Sequence, residues 1–264
     1  PKAVSMLLLA GIVSAFIGIT LANKTKDLIS DHVYVGSYIA LACLTIMPAI
    51  FLSFYKNSKI TNKNNSTYSN VRTYKEFVSD PKFLQAMVAA TFGYVVMAFL
   101  MTATPISMHY VHKLSVDKVG LVIQFHVLGM FLPSLFTGNL IKRFGFSNIM
   151  YMGVFFYALT ISLSLFEPTF INYFASLIFL GIGWNFLYIS GTSLLVTTYN
   201  EQEKFKAQGF NDLIVFSATA IGSLSAGILI SLLSWKIVNF MCIPFLIIIL
   251  FVILRADIKK APAN

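Results

Sequence analysis

Eight runs of this chain contain no Asp, Glu, Lys or Arg and are long enough to cross a bilayer: 3–23, 33–55, 83–108, 119–141, 148–166, 169–199, 213–234 and 237–254. A helix needs about 20 residues to span roughly 30 Å of hydrocarbon. A chain so patterned is expected to be all-α and polytopic, with eight spans. The run 169–199 exceeds the requirement, so it is expected to project beyond the membrane or to bend near Gly181 and Gly183. Only Ser234, Trp235 and Lys236 separate the last two runs, which predicts a tight hairpin.

Composition excludes the soluble alternative. Charged residues make up 11% of the 264 residues and hydrophobic ones 57%, whereas a soluble domain has about 25% charged residues. That leaves too little polar surface to cover a globule in water. The net charge of +9 does not point to nucleic acid, because the cations fall in the gaps between apolar runs and form no patch with interleaved aromatics. They set orientation instead. With the first residue inside, only Lys24, Lys26, Lys113, Lys118 and Lys236 of the nineteen Lys and Arg lie outside. Both ends of the chain are therefore expected in the cytoplasm. Cys43 and Cys242 sit within apolar runs, with neither metal-ligand nor disulfide spacing, and read as small apolar fillers.

The longest polar stretch is 56–82, whose core KNSKITNKNNSTYSN reads as a flexible cytoplasmic linker. It sets two spans (1–55) apart from six (83–264). Asn23 and Asn64 each fit the short glycosylation pattern. The chain opens Pro1-Lys2 and enters an apolar run too long for a signal peptide, so it is expected to be a piece of a longer protein.

Two spans, a basic inside loop and six more spans become a regular plan if four spans precede. That plan resembles the major facilitator superfamily of secondary transporters, in which these spans would be helices 5 to 12. The residues that carry the resemblance are Gly138, Leu140, Arg143 and Gly145, placed between the fourth and fifth spans. They are similar to the C-terminal copy of the family's loop signature, Gly-x-Leu-x-Asp-Arg-x-Gly. Lys142 stands where the signature has its acid, which removes the charge relay proposed for that acid. The stretches ATPISMHYVH, IQFHVLGMFLPSLFTG, GIGWNFLYISGTSLL and EQEKFKAQGFNDL resemble a bacterial permease subgroup, some of whose members are vitamin (riboflavin-like) or drug permeases. The first span, AGIVSAFIGITLA, lacks the Gly-Pro pair that drug and proton antiporters often carry in helix 5, which speaks against a proton-driven drug exporter.

Polar residues inside spans are the candidates for a substrate path, since lipid tolerates them only against protein or water. By the resemblance, solute binds near the midplane between two six-helix halves. Gln124 and His126 lie two apart and so point about 200° from each other on a helix. His126 can exchange protons near neutrality, or can simply hydrogen-bond to a neighbouring helix. Trp184, Asn185 and Tyr188 place an amide beside two aromatics that share a face, which suits a flat heterocyclic solute; packing beside Gly181 and Gly183 is the alternative. Tyr94, Thr102 and Thr104 precede Pro105, a residue expected to kink the helix near its outer end, and the threonines can bond back to their own helix. Asn211-Asp212 opens the seventh span, where the carboxylate either serves the helix dipole or carries a proton. Ala218, Gly222, Ser223 and Gly227 are spaced for close helix packing. His109 and His112 form an interfacial pair with no third metal ligand nearby in sequence.

No cofactor or metal is expected. There is no phosphate-cradling glycine loop, no HExxH and no nucleophile–base constellation. The expected function is alternating-access transport of a small organic solute through the bacterial inner membrane, with protons as one possible coupling ion. The lipid bilayer and the solute are the expected partners, with no nucleic acid. A membrane-embedded enzyme and an inactive or structural fragment are the readings of other classes.

Overall fold

The computed structural model describes residues 2–29, 34–55 and 71–258, and every regular element in these is helical. The elements are α1 (Lys2–Thr25), α2 (Val35–Ser53), α3 (Tyr74–Ser79), α4 (Pro81–Ile106) continuing into a π turn (Ser107–Val111), α5 (Val116–Phe131), α6 (Ser134–Phe144), α7 (Phe146–Leu163), α8 (Phe170–Leu195), α9 (Lys204–Leu232), α10 (Trp235–Phe240) and α11 (Ile243–Ile258). Among the described residues, seven helical stretches are long and apolar enough to cross a membrane. The helix α1 occupies the run expected to be the first span.

Helix starts follow their capping residues. The Asp80 carboxylate accepts the Lys82 and Phe83 amides, with Pro81 at the first helical position. Ser115, Thr169 and Ser234 cap α5, α8 and α10 in the same manner. Breaks follow prolines. Pro133 withdraws the N–H that the Gly129 carbonyl would accept, and the single helix expected over 119–141 is divided into α5 and α6. Pro244 stands just beyond the break between α10 and α11. Pro105 does not simply kink α4; the five residues from Ser107 widen into the π turn. Thr104 donates back to the Leu100 carbonyl at 2.7 Å, as expected of a buried helical threonine.

Three further expectations are corrected. The segment Gly138–Phe144, expected in a loop, is the last part of α6; Gly145, at φ 82°, is the whole connection to α7. Lys142 and Arg143 fall in the last turn of α6, where cations favour the helix dipole. The long run 169–199 is not broken at its glycines: α8 is continuous from Phe170 to Leu195, about 39 Å against roughly 30 Å of hydrocarbon, and turn residues complete the run. Asp212 does not open a helix, because α9 begins at Lys204 and places Asp212 two turns inside it. The far end of the expected linker is helical as well, since Thr73 and Glu76 form a capping box for α3; its core, 56–70, and the Asn64 pattern lie outside the described residues.

The chain divides into two compact units. In one, residues 13–70, the end of α1 and the start of α2 are tied by the Ser37 hydroxyl, which donates to the Ala22 carbonyl at 2.7 Å. Most side chains of α2 are exposed, among them Tyr38, Leu41, Ile46 and Phe51.

In the other unit, residues 1–12 with 71–264, α8 is the centre. It packs on α4, α5 and α7, and α4 in turn packs on α9 and α11. The absence of side chains permits the closest approaches. A Cβ on Gly181 would lie 2.5 Å from the His126 carbonyl oxygen of α5, and one on Gly183 would lie 2.5 Å from the Tyr157 ring of α7. Gly222 of α9 faces Val95 of α4 and stays buried, in line with its expected packing role.

Outside the spans, the segment before α3 is held by a salt bridge invisible in the linear pattern. Arg72 Nε and Nη2 donate to the Glu203 carboxylate at 2.7 and 2.9 Å, and Nη2 also reaches the Thr198 carbonyl at 2.5 Å. Lys206 Nζ donates to the Arg72 carbonyl at 2.6 Å. The Arg72 hydrogen bonds, with backbone N–H donors from Asn200 and Arg72, outweigh burial and hold the Glu203 carboxyl at about 2.

Two outcomes are expected. Gly181→Ala pushes α8 off α5 and costs about 1–3 kcal/mol, seen as a lower Tm of the detergent-purified protein. Glu203→Ala strands Arg72 and costs about 2 kcal/mol. Because the folded-state pKa of Glu203 is lowered, its contribution is complete above the ordinary value of 4.5 and is lost as pH falls toward about 2. The Tm gap between wild type and Glu203→Ala is therefore expected to narrow through that window.

Candidate functional site: an aromatic face at mid-span

Tyr94 lies thirteen residues into α4, Trp184 fourteen into α8 and Phe216 twelve into α9, each near the middle of its helix. Trp184 and Tyr188 are one turn apart and stack with ring centroids 5.0 Å apart and planes 13° from parallel. Tyr94 meets both edge-on, at 5.6 and 5.2 Å. Phe216 stands against the Tyr94 ring at 6.1 Å, and Phe131, at the end of α5, against Trp184 at 6.3 Å. The structure thus unites two groups that were separate in the sequence, Tyr94 and the Trp184–Tyr188 pair. It adds Phe131 and Phe216, which a sequence so rich in Phe gave no reason to select.

The face is graded in exposure. Trp184 is 6% exposed, Tyr94 and Tyr188 are half-buried, and Phe216 is 54% exposed. The Trp184 indole N–H is buried and finds no acceptor among the described residues. Buried donors are nearly always paired, which sets this indole apart from the well-bonded Asn185 beside it. Parallel and edge-on rings favour a flat π system.

Asn185, the next residue, points elsewhere. It is fully buried, its Nδ2 donates to the Met130 carbonyl at 2.6 Å and to the Ser134 hydroxyl, and its Oδ1 accepts from Thr137 Oγ1 at 2.7 Å. The single Thr137 hydroxyl proton is shared between Asn185 Oδ1 and the Pro133 carbonyl, the latter 2.8 Å away. The amide is a staple from α8 across the α5–α6 break, joining the Met130 carbonyl on one side to the Ser134 and Thr137 hydroxyls on the other.

His126 is fully buried, with Nδ1 2.7 Å from the Leu177 carbonyl of α8. A carbonyl only accepts, so Nδ1 carries the proton, and the ring is a helix-to-helix tie. Gln124 is half-buried on another flank of α5. His109 Nδ1 lies 3.0 Å from the Leu114 carbonyl, whereas His112 Nδ1 lies 3.0 Å from both the Ser107 carbonyl and the Tyr173 hydroxyl, so the two rings serve different contacts. Among the described residues no three His, Cys, Asp or Glu side chains gather as metal ligands would. Of the signature residues, Gly138 is open to its surroundings, Leu140 packs in a small cluster with Ile141 and Ile149, and the Arg143 guanidinium lies 5.2 Å from the centre of the Phe144 ring.

Asn185→Leu leaves the Met130 carbonyl and Thr137 hydroxyl without these partners. Loss of about 1–3 kcal/mol is expected, read as a lower Tm, and Asn185→Ser is expected to retain part of it.

Residues 86–264 match the sequence profile of the Major Facilitator Superfamily. The chain is 36% identical over 264 residues, its whole length, to the riboflavin transporter RfnT of Brucella anthropi, and spans 66% of that protein. It is 35% identical over 139 residues to the uncharacterized MFS-type transporter YdeG of Bacillus subtilis, covering 52% of this chain and 32% of that one. It is 31% identical over 148 residues to YddS of the same organism, also an uncharacterized MFS-type transporter, covering 55% and 34%. No solved structure matches.

Proposed function

The chain belongs to the Major Facilitator Superfamily, and from that premise we propose that the protein carries a flat heteroaromatic solute across a bacterial inner membrane by alternating access. Tyr94, Trp184, Tyr188, Phe131 and Phe216 would form the surface on which the solute's ring system stacks. The observation that carries this reading is the Trp184–Tyr188 stack with Tyr94 edge-on beside it, together with a buried indole N–H that lacks an acceptor. The relative named a riboflavin transporter supports a flavin-like solute. In this reading residues 83–264 are the C-terminal six-helix half, 56–82 the loop between halves, and 1–55 the last two helices of the other half. The distribution of Lys and Arg supports a cytoplasmic location for both ends. Asn185 and His126 act by holding helices. A proton, where one is coupled, would then be carried by a group other than the His126 ring.

The test is flux. The full-length protein in proteoliposomes is expected to take up riboflavin saturably. Trp184→Ala and Tyr188→Ala each remove a stacking partner, a loss of about 1–3 kcal/mol by analogy with stacked bases, and should raise the half-saturating concentration roughly tenfold or more. Uptake indifferent to both substitutions would move binding away from this face. A comparison with and without an imposed pH gradient decides whether protons take part.

A further inference from the structure

Asp212 is an acid in an unexpected place. It lies eight residues beyond the first residue of α9, about 12 Å along the axis at 1.5 Å per residue. A helix of 29 residues is about 43 Å long against roughly 30 Å of hydrocarbon. A centred α9 therefore holds Asp212 within the apolar layer. Its residue is exposed, and its position four before Phe216 puts it on the flank of α9 that meets the aromatic face. The carboxylate accepts one hydrogen bond, from Asn211 Nδ2 at 3.1 Å. Among the described residues, no Lys, Arg or His lies within ion-pairing distance of it.

An ionised carboxylate within a span is costly unless it is paired or faces a water-filled path. The carboxylate has about four acceptor positions, and Asn211 fills one. The face supplies stacking surface and three donors, the Tyr94 and Tyr188 hydroxyls and the Trp184 indole N–H, but among the described residues none of them hydrogen-bonds to the carboxylate. The missing donors fit a ligand that lies on the rings and extends toward Asp212.

We propose that Asp212 is a specificity-determining residue that accepts hydrogen bonds from the polar end of the transported solute. The substrate class is then a flat heteroaromatic ring carrying a side chain with several hydroxyl or amine donors. This rests on the reading of the aromatic face as the binding surface. Rings alone would bind more weakly, and a solute ending in a carboxylate or phosphate would be repelled.

Flavin fluorescence titration of the purified full-length protein tests this with two probes, riboflavin and lumiflavin, which share a ring system but differ in the hydroxylated chain. Wild type is expected to prefer riboflavin. Asp212→Ala should weaken riboflavin roughly ten- to a hundredfold, the range for hydrogen bonds to a charged acceptor, and leave lumiflavin unchanged. Asp212→Asn, which keeps the shape and one acceptor oxygen, should retain part of the preference and guards against misfolding. Equal weakening of both probes, or an unchanged preference in Asp212→Ala, overturns the assignment. So does a variant that keeps the preference and loses only its response to a pH gradient, which would make Asp212 a proton carrier. Wild-type protein that binds neither probe refutes the aromatic face itself, a result distinct from a lost preference.

Discussion

The helical unit is organised by how closely the backbone of α8 approaches its neighbours. Gly181 and Gly183 point to opposite flanks, one against the His126 carbonyl of α5 and the other against Tyr157 of α7. In lipid, helices gain little from hiding apolar surface, so association relies on van der Waals contact and interhelical hydrogen bonds. Glycine gives both at once. It lets the His126 ring reach the Leu177 carbonyl at 2.7 Å. Tyr157, pressed onto α8, donates its hydroxyl to the Gly93 carbonyl of α4. Trp184 follows Gly183 directly, so the rotation of α8 set by these contacts also fixes where the indole points.

The break at Pro133 shows how a neighbouring helix braces an interrupted membrane helix. Apolar surroundings offer no water to the freed backbone. Here α8 repairs the gap from outside, with Asn185 donating to the Met130 carbonyl and Thr137 closing the circuit through the Pro133 carbonyl. Asn185 and Trp184 are consecutive, about 100° apart on the helix. One therefore serves the break while the other serves the aromatic face. The residue that looked most like a ligand-binding amide is thus the best satisfied, and the indole beside it has the free donor.

What was legible in the sequence was whatever depends on length and charge. The uncharged runs and the back-bond of Thr104 follow from local rules. What was not legible depends on neighbours distant in the chain. The role of Asn185 requires Met130 and Ser134; the selection of Phe131 and Phe216 from 25 phenylalanines requires Trp184 and Tyr94. Charge spacing misled in two places. The uncharged run after Asp212 looked like the start of a span, but α9 begins at Lys204, because lysines at a helix end can keep their charge outside the apolar layer. The same rule hid the end of the α6 helix, whose basic pair reads as loop.

The position of Asp212 gains its meaning from that error. A carboxylate at a helix start would be satisfied by the exposed amides of the first turn. Two turns into α9 those amides are already bonded within the helix, and the Asn211 amide is the donor that reaches it. The energetic case for a ligand is thus made by the helix boundary, and the aromatic rings decide which ligand. Phe216 lies one turn beyond the acid on α9 and meets the Tyr94 ring, and these ring faces favour a flat ring system. A stacking surface and an under-used acceptor on one flank specify two ends of a single molecule.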